Sequence, residues 1–448
     1  MDTHNQTFLH ENNKGKLHAM YTDYEGIVPH EKLSDFLFDY LHKYQGADSI
    51  KNTEEELMSR SLQSHIAQYS KHRLLIGFLD RVFLKLYSKR NPFVNSQQHK
   101  IRILFRLFKY SDIILGAKKY QKVGLVTHAK DRLFAIKHGM GYVITSDLDQ
   151  YVLAYLQEKN ITYLYQLIQK IEDKLKITKP DYIVLWNDIF PIERAMVLAS
   201  KKLGITTLEI QHGVYDPSRS LETGKVVDYV LVWGQYFKDL YVKQDKRKKE
   251  AIYILGYPYS MKKNQRIKNP ASRYVVCYLG QDLEIYDKDF LLIKLETANR
   301  MYAICKKLNL EFIYRPHPGD DRNLLEEKLP YICFTPMREK IEETFKKADI
   351  FISFQSTALV EAAIRSKVAL QLMNYPLISD NFEALGACKK SLKTLEELED
   401  YLKKIDSAGS LDEFKIKFNN DYVETRYEAT QRFLEIIEEI EKRKKIII

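Results

Sequence analysis

Cysteine is scarce: Cys277, Cys305, Cys333 and Cys388 are the four in 448 residues, spaced 28, 28 and 55 apart. No C-x-x-C pair stands among them and no histidine pair lies nearby, which excludes a zinc cluster, a dithiol redox motif and a disulfide scaffold. They read as small buried hydrophobes of a reducing compartment. Long apolar runs are missing too: nothing approaches the roughly 18 residues of a spanning helix. The opening Met1-Asp2-Thr3-His4-Asn5 starts no signal peptide, so a cytoplasmic protein is expected. Repeats and low-complexity tracts are absent, which excludes solenoids and fibrous arrays. What remains, 45% hydrophobic and 29% charged residues, is a globular composition long enough for roughly two to three domains.

Acidic residues run short in one place. From Lys71 to Lys122 there are 13 Lys and Arg against Asp80 and Asp112, a local +11 beside the net +10 of the whole chain. The charges are interleaved with apolar residues, as in Lys100-Ile101-Arg102-Ile103-Leu104-Phe105-Arg106-Leu107-Phe108-Lys109. A basic amphipathic surface of this kind attracts an anionic membrane, a polyanionic glycan or nucleic acid; the plainer reading is a solvated helix face. Neither a zinc-finger spacing nor an aromatic RNA-recognition signature accompanies it, so nucleic acid is not the expected partner.

Residues 1–120 are expected to be mostly helical, since Ser49 to Tyr87 places Leu57, Leu62, Ile66, Leu74, Phe78 and Val82 at helical spacing. From 121 to 256 short β runs alternate with helical ones: Lys122–Val126, Tyr142–Thr145, Asp181–Trp186, Thr207–Ile210, Tyr229–Trp233 and Ile252–Leu255. That alternation predicts a parallel sheet with covering helices. The polar stretch 257–273 reads as a linker. After it the alternation restarts over 274–410, predicting a second doubly wound α/β domain, and helices in 411–448 are expected to cross back.

Two stretches of the second domain carry chemistry. Tyr314-Arg315-Pro316-His317-Pro318 and Ser353-Phe354-Gln355-Ser356-Thr357-Ala358-Leu359-Val360-Glu361-Ala362 each begin as a β run that stops abruptly at polar residues. In open α/β sheets ligands bind outside the carboxyl ends of the strands, so Arg315, His317, Ser356 and Thr357 should share a crevice, joined by Gly280 after the strand that ends at Leu279. The helix after Thr357 offers unpartnered N–H groups and the positive end of its dipole to a phosphate. Taken singly, Ser356 or Thr357 also suits a plain N-cap, and His317 between two prolines a rigid strand exit. In the first domain, His212 in Leu208-Glu209-Ile210-Gln211-His212-Gly213-Val214 and Asp188 in Trp186-Asn187-Asp188 stand at strand ends as competing general bases, with a capping role as the plain reading of Asp188.

These motifs resemble the HP and serine-rich motifs of GT-B glycosyltransferases that build bacterial surface polysaccharides: polysialyltransferases, capsule Kdo transferases and teichoic-acid glycerophosphotransferases. The Gln-His-Gly loop resembles that of the last two groups. The resemblance covers residues 180–375 and implies two Rossmann-like domains facing a cleft. It implies that His317, Pro318, Ser353, Gln355, Ser356 and Thr357 line the donor's phosphate, that Glu361 lies near the ribose, and that His212, flanked by Gln211 and Gly213, faces the acceptor. The paired acids before glycine that mark sialyltransferases of this type are missing. The expected function is transfer from a nucleotide sugar, with a CMP- or CDP-type donor favoured over UDP, to a cell-surface polysaccharide or lipid-linked acceptor. No metal is expected, and the 71–122 surface would rest on the inner face of the plasma membrane. The alternatives are a sugar-nucleotide epimerase of the same fold and a non-catalytic nucleic-acid-binding protein.

Overall fold

The computed structural model describes residue 24, residues 26–43 and residues 101–447, apart from 107, 128, 146, 216–222, 260–272, 282–283, 285–288, 338, 376–377 and 379. The helical expectation for Ser49 to Tyr87, residues 71–100 of the basic segment and most of the linker lie outside the described residues.

Seven strands form the first sheet: β1 (Arg102–Phe105), β2 (Gln121–Val126), β3 (Gly141–Ile144), β4 (Tyr182–Leu185), β5 (Thr206–Ile210), β6 (Tyr229–Val232) and β7 (Ile252–Ile254). Their order is β3-β2-β1-β4-β5-β6-β7, and every pairing is parallel. Helices α1 (Leu33–Lys43), α2 (Ser111–Gly116), α3 (Ala129–Lys137), α4 (Asp149–Glu158), α5 (Thr162–Thr178), α6 (Pro191–Leu203) and α7 (Gln235–Lys243) accompany it. Local sequence explains them. In α5 the buried Leu164, Leu167, Ile168, Ile171 and Leu175 recur at helical spacing. Pro191 fixes the first turn of α6, and Gly204, at φ +68°, ends it.

The second sheet contains β8 (Val275–Leu279), β9 (Glu311–Arg315), β10 (Cys333–Phe334), β11 (Ile350–Ser353), β12 (Val368–Leu372) and β13 (Lys390–Leu392), in the order β10-β9-β8-β11-β12-β13 and again all parallel. Its helices are α8 (Phe290–Lys307), α9 (Arg322–Lys328), α10 (Ile341–Lys347), α11 (Thr357–Ile364) and α12 (Leu395–Ala408). Three cysteines are buried as expected, whereas Cys333, on the edge strand β10, is exposed.

The expectation of helix up to residue 120 fails at Arg102–Phe105, which is β1, hydrogen-bonded between β2 and β4. A strand paired on both edges and covered on both faces loses the alternation that marks a half-buried strand, and a four-residue apolar run cannot be told from a helix segment by periodicity. The first sheet therefore begins some twenty residues before the 121 boundary.

The chain ends in α13 (Ala429–Ile447), which returns to the first sheet. Phe433, Ile436, Ile437 and Ile440 are buried with Ile103, Phe105, Leu208 and Ile210. The segment leading into it bonds to backbone that follows β6 and β7, including the first turn of α7: Tyr236 N donates to Asp421 O at 2.9 Å, Glu424 N to Trp233 O at 2.8 Å, and Tyr257 N to Glu424 O at 3.0 Å. Among the described residues no helix is long and apolar enough to cross a membrane. Because Phe433 is fully buried against Phe105, Phe433→Ala should cost about 3–5 kcal/mol in urea unfolding, the usual cost of deleting a buried ring. A loss under about 1 kcal/mol would show that α13 is not integral to the first domain's core.

Candidate active site

Both sheets reverse their strand order, at β1/β4 and at β8/β11. Where the order reverses, the loops leaving adjacent carboxyl ends diverge and open a crevice. In the first sheet the loops there carry Arg106 and Lys109 after β1 and Trp186, Asn187 and Asp188 after β4, with Gln211, His212 and Gly213 following β5. Arg102 and Arg106 turn inward, whereas Lys109 is exposed. Arg102 donates to Gln121 Oε1 at 2.7 Å and to the carbonyls of Thr178 and Lys179. Buried Arg106 pairs with Glu193 of α6 at 3.0 Å, and Lys109 Nζ lies 5.1 Å from the centre of the Trp186 ring. Part of the charge expected to form an outward basic surface is thus spent inside the domain, because a central strand and its exit loop have backbone carbonyls and a buried carboxylate to satisfy.

His212 stands edge-on to Trp186, with ring centres 5.0 Å apart. Its Nδ1 is buried with no hydrogen-bond partner among the described residues. Burial, helped by the Lys109 charge, lowers its pKa to about 3, while a hydrogen bond with the Trp186 backbone opposes the shift. In the protein alone His212 is therefore a neutral imidazole at neutral pH. By residue type alone a histidine suits a base working near neutral pH; here desolvation and a neighbouring ammonium both disfavour the imidazolium.

Asp188 is not in a position to compete. One carboxylate oxygen accepts from Gly224 N at 2.7 Å, and the other from Val226 N at 2.7 Å and Val227 N at 3.2 Å. Its side chain is fully buried, latching the loop before β6 to the end of β4. Glu209, which sequence reasoning passed over, shares the latch through Gly224 N at 3.0 Å and Thr223 Oγ1 at 2.5 Å. Burial and the Asp188 charge hold Glu209 well above the ordinary carboxyl range. Gln211, expected on the acceptor side, turns into the sheet: its Oε1 accepts from Trp233 N and its Nε2 donates to Gly213 O, both at 2.8 Å.

On the second sheet, Ser353 is also turned inward, donating to Leu279 O at 2.8 Å. Arg315 leaves the expected phosphate position to tie β9 to α10, donating to Thr344 Oγ1 at 2.7 Å and Glu339 O at 3.0 Å. A guanidinium at a buried strand end is held by the nearest acceptors. His317 and Pro318 are exposed. His317 Nδ1 accepts from Gly319 N at 3.1 Å. The loop is anchored from beneath: Lys294, fully buried, pairs with Asp320 at 2.6 Å, and the other Asp320 oxygen accepts from His317 N at 2.7 Å. Gly280 passes under this loop, where a Cβ would meet Asp320 Oδ2 and His317 N at 3.1 Å. Gln281 clips the two switch-point loops together, accepting from Gln355 N and donating to Gln355 O, both at 2.7 Å.

Ser356 is the N-cap of α11 and accepts from Ala358 N at 3.2 Å. Thr357 meets the other domain, its Oγ1 accepting from Val214 N at 3.1 Å. A side chain at Gly213 would stand 2.9 Å from that oxygen, so the close approach needs glycine. One turn on, Glu361 faces Lys109. Burial raises the Glu361 pKa, opposed by Arg365, by a hydrogen bond with Tyr257 and by Lys109. His212, Lys109 and Trp186 from one domain and Thr357 and Glu361 from the other therefore line one cleft. Lys109 and Trp186 were missed; their signal was position at the strand-order reversal, legible only once β1 is recognised. Asp147-Leu148-Asp149, also passed over, follows β3 at the sheet's outer edge, where Asp147 pairs with Lys174 at 3.1 Å. No group of three or more His, Cys, Asp or Glu able to hold a metal ion occurs among the described residues.

Neither a family model nor a curated protein matches the sequence. Solved structures do match its fold. A putative UDP-N-acetylglucosamine 2-epimerase from Listeria monocytogenes superposes with a TM-score of 0.54 at 12% identity, over 75% of this chain and 95% of that one. The UDP-GlcNAc 2-epimerase of Methanocaldococcus jannaschii, in complex with UDP-GlcNAc and UDP, gives 0.52 at 16% identity, over 75% and 99%. That of Neisseria meningitidis, bound to UDP-GlcNAc, gives 0.51 at 14%, over 76% and 99%. The shared feature is the GT-B arrangement of two Rossmann-like domains; at these identities the likeness is one of fold.

The His212 environment sets a pH dependence. A folded pKa near 3, below the ordinary value of about 6.5, means that the unfolded chain binds the extra proton between those values. The contribution of His212 to stability is complete above about pH 6.5 and is lost as pH falls toward 3. Imidazole NMR signals of His212 should not titrate between about pH 5 and 8, and His212→Gln should flatten the acid limb of the stability curve. A midpoint near 6.5 would contradict the burial assigned to the ring.

Proposed function

We propose that the chain is a glycosyltransferase that moves a sugar from a nucleotide donor to a glycan acceptor. The observation that carries this reading is the unpartnered Nδ1 of His212, buried at the end of β5 and across the cleft from the α11 N-terminus. An acceptor hydroxyl bound there gives its proton to Nδ1 as its oxygen attacks the anomeric carbon of the donor sugar. The bond from that carbon to the phosphate oxygen breaks, and its electron pair leaves with the nucleotide. The positive end of the α11 dipole and the His317 loop beside it stabilise the departing phosphate. The phosphate of a bound donor also offsets the Lys109 charge, which raises the proton affinity of His212 when a proton has to be taken.

A nucleotide sugar as ligand is supported by the solved structures of this fold that hold UDP or UDP-GlcNAc. The cytidine donors favoured by the motif resemblance and the uridine nucleotides held in these structures are separable by experiment. Because the three structures named above are UDP-GlcNAc 2-epimerases, one of them putative, acceptor-independent epimerisation is the second reading. The reading also includes turnover that survives EDTA, since the leaving group is stabilised by protein N–H donors.

A thermal-shift screen with CMP, CDP, UDP and GDP should select a nucleotide, a ligand at 100 times its Kd adding about 2.7 kcal/mol. With the matching nucleotide sugar, nucleotide release should require an added acceptor; conversion of the donor sugar without acceptor, followed by NMR, would replace transfer by epimerisation. His212→Ala should lower turnover by roughly 10²–10⁴ and leave nucleotide affinity nearly unchanged, because a base acts in the transition state. His317→Ala should instead weaken nucleotide binding by at least about tenfold in calorimetry. Unchanged affinity in a folded variant would remove His317 from the donor site.

A further inference from the structure

The loops at the β1/β4 reversal hold more unsatisfied polarity than a general base requires. Besides His212 Nδ1, Trp186 Nε1 and Asn187 Nδ2 are buried without hydrogen-bond partners among the described residues. Buried N–H groups ordinarily find acceptors, so neighbouring orphans mark a place where a polar ligand completes the bonding. Two donors and one acceptor suit neighbouring sugar hydroxyls, each of which gives one proton and takes others. Beside them Phe190, 38% exposed, has its ring 6.0 Å from that of Trp186. Together they offer an aromatic wall of the kind that takes the C–H face of a pyranose.

The remaining feature is charge. Lys109 Nζ sits over the Trp186 ring at 5.1 Å. The acid that faces it from the second domain is Glu361, and burial pushes that carboxyl toward its neutral form. Lys109 is exposed, and an anionic substituent on a sugar lying against Trp186 would come within reach of its ammonium.

We infer that the acceptor is a sugar carrying an acidic group, its ring against Trp186 and Phe190, its reacting hydroxyl on His212 Nδ1 and its anionic group on Lys109. This rests on the transferase reading and names the acceptor class of that same cleft. It locates anionic recognition in one lysine inside the crevice, apart from the general basicity of residues 71–122.

The chain contains two tryptophans, and Trp233 is fully buried with both its nitrogens hydrogen-bonded. Intrinsic fluorescence of the full chain therefore reports chiefly on Trp186. Titration with methyl β-D-glucuronide should change the emission saturably, with a Kd at least about tenfold below that of methyl β-D-glucoside, the gain expected of one charge-assisted contact. Acetate alone should give no saturable change. Lys109→Met should abolish the tenfold preference, and Lys109→Arg, which keeps the charge, should retain it. Equal affinity for the acidic and neutral sugars, saturation by acetate as strong as by the glucuronide, or a preference that survives in folded Lys109→Met would each overturn the inference. The nucleotide thermal shift, run in parallel, separates the two claims. Nucleotide binding without a preference for the acidic sugar sinks this inference alone, whereas a preference without any nucleotide binding sinks the transferase reading.

Discussion

A parallel strand hydrogen-bonded on both edges has no polar group to spare along its length, so chemistry can gather only where the strand stops. The constraint is sharpest at β1 and β8, the strands from which each sheet grows in both directions. Between them and their neighbours β4 and β11 the chain leaves to opposite sides, and the gap is filled by loop residues alone. Lys109, Trp186, Gln281 and Thr357 all occupy such positions. They come from distant parts of the sequence and are assembled by strand order.

The loops at these gaps need rigid support, and the protein provides it with buried ionic and amide groups whose hydrogen bonds are nearly all accounted for. Asp188 and Glu209 hold the backbone before β6, Lys294 and Asp320 hold the His317 loop, and Gln281 ties the β8 and β11 exits together. Removing one partner of such a group leaves the other buried and unpaired, which costs more than the pair contributes. These residues resemble catalytic groups in type and place, yet their lone pairs and protons are already committed. Commitment separates Asp188 from His212: three backbone N–H groups occupy the carboxylate, while the imidazole keeps one nitrogen unclaimed among the described residues.

Sequence reading reached the two-sheet architecture because most strands are short, β-branched and bounded by turn residues, and because α11 follows directly on a polar strand end. Ser356 as an N-cap was legible for the same local reason. β1 was not, since its arginines suggested an exposed face, whereas Arg102 and Arg106 are satisfied by carbonyls and a carboxylate supplied by residues 75 or more positions away. Losing β1 also hid Lys109 and Trp186, whose significance depends on strand order. Ser353, Gln211 and Arg315 were misread in the opposite direction: their types suit ligand binding, but which way a side chain turns at a strand end depends on what the adjacent strand offers it.

The charge state of the cleft follows from the same geometry. Burial pushes His212 and Glu361 toward their neutral forms, while Lys109 is exposed beside them. The ammonium of Lys109, over the Trp186 ring, is then the charge that an entering ligand meets. An anionic ligand entering beside Lys109 strengthens that ammonium and at the same time makes protonation of His212 less costly. One binding event thus prepares both the group that orients the ligand and the group that accepts a proton from it. The depressed proton affinity of His212 in the protein alone is on this view part of the mechanism: the base gains its strength only when the charges that require it have arrived.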